Sequence, residues 1–160
     1  TRSGMALGEP PAGARHGNLG LNEVEAIGAD LVMRASQDAG VTWGSAMIVH
    51  HSAGTPTLPK LVLAPDGSLH VFFLDSGFDS QHKLLDAVHS ISRDAGATWT
   101  SERLTTKSWD PNLSIHQNGN PGWVGDYLGA AGSTDSVWAA FPVASLGEAP
   151  PLALPPPLSN

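Results

Sequence analysis

The 160-residue chain has no cysteine. That excludes a disulfide framework, a thiolate zinc site and a thiol nucleophile. Cations are scarce too: Lys and Arg number eight against 15 Asp and Glu, for a net charge of −7. Nucleic-acid backbones and anionic membrane surfaces are gripped by clustered Lys and Arg. The sequence has no such cluster, so neither is an expected partner. No apolar run approaches the roughly 18 residues of a membrane-spanning helix. The start, TRSGMALGEPPAG, lacks the apolar stretch of a signal peptide; a mature or excised start stays open. A secreted, cell-surface or periplasmic setting is the expectation.

What is present is 41% hydrophobic residues with 18 Gly and 13 Pro. Short apolar runs broken by Gly and Pro predict an all-β chain. Residues 1–28 are Gly-rich and weakly patterned, and read as an irregular N-terminal segment. Strands are expected at 29–36, 42–50, 58–64, 69–75, 84–92, 98–105, 123–132 and 136–144. Asp66-Gly67 marks a tight hairpin turn between two of them. Residues 106–122 form a long polar loop, and the Pro-rich stretch 146–160 reads as a tail.

One octapeptide occurs twice, as SQDAGVTW from position 36 and SRDAGATW from position 92. Around each copy the order is strand, motif, strand, and self-similarity of this kind points to a repeat architecture. Ser and Asp accept hydrogen bonds from nearby backbone N–H groups in turns. Glycine permits positive φ, and the indole can bury a large face. The motif therefore predicts a self-bonded hairpin bend, with no nucleophile or general base in it.

The pattern resembles the Asp-box, or BNR repeat, Ser-x-Asp-x-Gly-x-Thr-Trp, of sialidases and sialidase-like β-propellers. Both copies match its fixed positions: Ser36, Asp38, Gly40, Thr42 and Trp43, then Ser92, Asp94, Gly96, Thr98 and Trp99. LPKLVLAPDGSLHVFFLDS and WVGDYLGAAGSTDSVWAAF resemble further hairpins of these proteins, so the resemblance covers about residues 30–144. It implies a partial β-propeller over 29–145, with about two blades' worth of antiparallel strands in four-stranded blades, and peripheral, structural Asp-boxes. Closed propellers take four to eight blades. The chain is therefore expected to belong to a longer propeller or to pair its edges by self-association.

The same resemblance implies a catalytic set of three arginines, a Tyr–Glu nucleophile pair and an Asp acid/base. Arg2 and Arg15 lie in the unpatterned start, Arg34 and Arg93 beside the octapeptides, and Arg103 on an outer strand. No triad can be placed among them. The favoured reading is a propeller segment binding a glycan or a protein surface. The alternative is part of a sialidase-like glycoside hydrolase (exo-alpha-sialidase class) whose arginines lie outside the chain. A scaffold with no small-molecule ligand is the third reading.

Candidate ligand contacts are Asp75 at a strand end, Asp79 in the following loop, Trp109, Asp110 and His116 in the long polar loop, and Asp126 with Tyr127 in Gly-Asp-Tyr. An exposed Trp beside carboxylates suits stacking on sugar rings. Against this, Trp109 can anchor its loop and Asp110 can cap a turn before Pro111. Neighbours on a strand face opposite ways, so Asp126 is poorly placed as a base for Tyr127. The seven histidines include no zinc-like spacing and read as surface or loop residues. No metal and no cofactor is expected.

Overall fold

The computed structural model describes residues 2–8, 20–113, 124 and 128–144, with 2–8 and 20 given by backbone alone. Ten strands run in chain order among them: β1 (Arg2–Gly8), β2 (Gly20–Ile27), β3 (Asp30–Ser36), β4 (Met47–His51), β5 (Pro56–Leu63), β6 (Leu69–Asp75), β7 (Asp86–Ser92), β8 (Thr100–Arg103), β9 (Gly129–Gly132) and β10 (Val137–Ala140). One 3₁₀ turn, Pro111–Leu113, lies between β8 and β9. The chain is all-β. Strands pair antiparallel with their chain neighbours to give two four-stranded sheets, β1–β4 and β5–β8, and the hairpin β9–β10.

The expectation of an irregular segment over 1–28 is overturned, because β1 and β2 occupy most of it and complete the first sheet. On β2, Val24 and Ala26 face the core beside Met33 and Leu31, while Glu23 and Glu25 face the other way. Arg34 on β3 lies between those two carboxylates and forms ion pairs with both. The two glutamates therefore sit in a strand because the next strand brings their cation. The expected Pro-rich tail over 146–160 lies outside the described residues.

The second sheet is the middle layer. One face packs on the first sheet through Leu69, Val71, Phe73 and Val88 against Leu31, Met33 and Val49. The other face carries Phe72, Leu74 and Ala87 against Val137 of β10, Leu128 and Trp109. With both faces covered, all seven residues of β6 are buried. Its sequence LHVFFLD is accordingly near-continuous in apolar residues rather than alternating. Phe72 and Phe73, each fully buried on opposite faces, contribute about 2–3 kcal/mol apiece.

The two octapeptides form the bends between β3 and β4 and between β7 and β8, and their bonding repeats almost atom for atom. Ser36 Oγ donates to Asp38 Oδ1 at 2.8 Å, and Ser92 to Asp94 at 2.8 Å. The N–H groups of Gly40 and Gly96 each donate to that serine Oγ at 2.8 Å. The Asp carboxylates accept from the N–H of Thr42 (2.8 Å) and Thr98 (2.9 Å), and from their hydroxyls at 2.6 and 2.5 Å. Ala39 and Ala95 both take φ of 57°, followed by Gly40 at 87° and Gly96 at 92°.

The threonine hydroxyl, then the threonine N–H and the serine hydroxyl, hold the Asp38 and Asp94 pKa values down to about 2. Below the unfolded value near 4, the unfolded chain therefore binds more protons than the folded one. The stability these bonds give is complete above about pH 4 and is lost as pH falls toward 2. The urea midpoint is expected to drop over that window, and less steeply in Asp94→Asn. An equally steep drop in that variant would assign the acid limb to other groups.

Candidate functional site

The octapeptides close one end of the sheets. At the opposite end, β6 finishes and β7 begins, and Asp75 lies directly across from Asp86 in the register. Asp75 is 1% exposed and Asp86 0%. Like charges directly opposite one another repel, so each carboxylate needs its own partners.

Asp75 finds them on three elements. The Ser52 hydroxyl donates to Oδ1 at 2.5 Å, the Gly77 N–H to the same oxygen at 2.9 Å, and His50 Nε2 lies 3.2 Å from Oδ2. Burial pushes its pKa up, but the bonds from His50, Ser52 and Gly77 together outweigh that and leave it lowered. The other ring nitrogen of His50 is 3.0 Å from Ser101 Oγ on β8, which is 2.7 Å from Ser90 Oγ. His50 thus ties the first sheet to the second. Gly54 and Gly77 bring the flanking loops together: a Cβ on Gly54 would stand 2.8 Å from the Gly77 nitrogen. Only glycine leaves room for this backbone approach.

Asp86 is held by Arg103, whose Nε and Nη2 donate to Oδ1 at 2.8 and 2.7 Å. Thr105 Oγ1 donates to Oδ1 at 2.6 Å and Ser108 Oγ to Oδ2 at 2.8 Å. The Arg103 guanidinium, one-third exposed, lies 5.1 Å from the ring centre of Phe78. Phe78 projects from the β6–β7 loop and is 45% exposed. A one-third-exposed cation against a partly open aromatic ring offers stacking together with hydrogen bonds from its Nη1 edge to an anionic or hydroxylated ligand.

Between the β2–β3 turn and the strand-entry loop before β5 lies a cavity of about 350 Å³. Ala26, Gly28, Gly54, Thr55, Pro56 and Leu58 are among its lining residues. Among the described residues no charged side chain lines it. Leu58 takes φ of 51° where the β5–β6 register slips.

The named candidates divide. Asp75 is buried and fully bonded. Asp79 Oδ2 accepts from the N–H groups of Lys83 (2.9 Å) and Leu84 (3.2 Å) and shapes the loop that carries Phe78. The Lys83 bond leads in lowering its pKa, against a smaller upward push from burial. Asp110 caps the 3₁₀ turn, accepting from the Asn112 N–H at 2.9 Å. Of the two readings of Trp109, the loop anchor is the one the structure shows. The residue is buried, pairs its backbone with Leu85, and packs in the second core cluster. Its indole face is therefore not open to a sugar. His116, Asp126 and Tyr127 lie outside the described residues.

The expectation that the histidines are surface or loop residues also fails for His70 and His89, both buried on central strands. The signal was position: His70 shares the 70, 72, 74 face with Phe72 and Leu74. Arg103, Asp86 and His50 were missed because their partners come from distant segments. Among the described residues no group of His, Cys, Asp or Glu is placed to hold a metal ion, and no helix is long and apolar enough to cross a membrane. The chain matches no protein-family model and no curated protein.

Proposed function

We propose that the chain is a segment of an Asp-box β-propeller that binds a glycan at the sheet ends opposite the octapeptides. The observation that carries this reading is the repeated bend. Two copies of one motif adopt one bonding pattern at corresponding turns of two stacked four-stranded sheets. Each sheet then corresponds to a blade, and β9–β10 to the first half of another. The Asp-boxes serve shape at one end, leaving the other end for ligand. Phe78, Arg103 and the neighbouring cavity supply a stacking ring, donors and a recess there.

Both buried carboxylates, Asp75 and Asp86, are saturated by neighbouring groups, which favours binding over glycoside cleavage by this chain. The test is a glycan array with the purified protein, alongside a fluorogenic sialoside. Binding of a glycan subset, weakened about tenfold in Phe78→Ala with an unchanged unfolding midpoint, is the expected result; tenfold corresponds to about 1.4 kcal/mol. An array without hits, or binding indifferent to Phe78, would remove the site. Turnover of the sialoside would favour the hydrolase alternative.

A further inference from the structure

Five side chains form a hydrogen-bonded line across the second sheet. Asp66 Oδ1 is 2.6 Å from Ser68 Oγ, which is 2.8 Å from His70 Nε2. His70 Nδ1 is 2.9 Å from His89 Nε2, and His89 Nδ1 is 3.1 Å from Glu102 Oε1. Ser68, His70 and His89 are each at least 96% buried, whereas Asp66 and Glu102 reach the surface at either end. The line starts in the β5–β6 turn and ends on the edge strand β8.

Counting protons exposes a deficit. Each of the four contacts needs one hydrogen. With both carboxylates ionised and both imidazoles neutral, the line holds three: one on the Ser68 hydroxyl and one on each ring. If Ser68 donates to Asp66, His70 must donate back to Ser68, and His89 to His70. His89 Nδ1 and Glu102 Oε1 then face each other as two acceptors. Running the donors the other way only moves the clash to Asp66 and Ser68, at the 2.6 Å contact.

We propose that this line is a binding site for one proton, held between His89 and Glu102, which completes the four contacts and fastens β8 to the middle of the sheet. Two protons would place adjacent imidazolium ions side by side, so the site takes one and resists the second.

The charged groups around it agree. Burial pushes the His70 pKa down to about 4, with His89 and Arg93 pushing the same way and Asp66 opposing. Burial also leads in lowering His89, joined by Arg93, but the hydrogen bond and charge of Glu102 pull its pKa back up. His89 is therefore the ring that charges first. Both rings stay below the unfolded value near 6.5, so the unfolded chain binds more protons below that pH. Global stability falls from about pH 6.5 toward 4 while the β8 contact tightens.

The experiment is imidazole ¹⁵N spectroscopy on the whole chain from pH 7.5 to 4.5, with wild type and Glu102→Gln. Glu102 is half exposed on an edge strand, so the variant keeps its fold. The expected result is one proton taken up by the pair, with both rings responding at a shared midpoint below 6.5. In Glu102→Gln that midpoint moves down by about one pH unit, a tenfold weaker proton affinity. Independent titration of the two rings near 6.5, no response above pH 4.5, or an unchanged midpoint in the variant would each overturn the proposal.

Discussion

Replacing Arg103 by Ala is expected to lower stability by about 3–5 kcal/mol, the range for stripping the partner from a buried charge. Asp86 has no exposure to water, and Arg103 supplies its only cation among the described ion pairs. The Thr105 and Ser108 hydroxyls that remain can donate hydrogen bonds but no charge. Urea unfolding measures the loss. Asp86→Asn in the Arg103→Ala background should recover part of it, since a neutral amide no longer needs a counterion, and the double-mutant cycle isolates that coupling. An Arg103→Ala midpoint equal to wild type would show that the hydroxyls alone carry the carboxylate.

Asp75→Ala should cost a similar amount by a different route. The deletion leaves the Ser52 hydroxyl and the Gly77 N–H without their acceptor and frees one nitrogen of His50. Buried donors left unpaired cost about 1–3 kcal/mol each, or roughly 3–5 kcal/mol together. Asp75→Asn keeps one acceptor oxygen and should cost less than half as much. Equal losses in the two variants would mean that charge, not acceptor geometry, holds the β4–β5 and β6–β7 loops together.

The contrast between these residues and the octapeptides explains what a reading of the chain could reach. Ser36, Asp38, Gly40 and Thr42 bond to one another within four residues, so their geometry is written locally and was legible. Strand β6 was legible for another reason: an apolar run between an Asp-Gly turn and the loop SGFDSQH has a single reading, and 69–75 is where it lies. Strand β2 was not, because GLNEVEAI alternates core residues with glutamates, and Arg34, the residue that makes those glutamates tolerable, arrives on the next strand. Trp109 was legible as a loop anchor, but the partners it anchors to were not. Its sequence neighbours are polar, but the Leu85 pairing carries it into the core cluster that also holds Phe72 and Leu104. At the sheet ends only Asp75 and Asp79 stood out in the sequence. Asp79 bonds within its own loop, but Asp75 draws Ser52 and His50 from 23 and 25 positions away, and no local pattern announces that.

The unbroken neighbour-to-neighbour strand order has a consequence for how the protein is made. Each four-stranded sheet comes from one contiguous stretch, so during synthesis from the N-terminus the first can zip up while the second is still inside the ribosome. Sheets built from sequential hairpins close short loops and form quickly. The inner face of the first sheet, with Leu31, Met33 and Val49, then stays wet until β5–β8 emerge to cover it. A pause in translation after the first sheet has emerged and before β5–β8 follow it out would prolong that exposure. Slow codons that impose such a pause are predicted to raise aggregation, and the same codons placed where β8 has already emerged to leave yield unchanged.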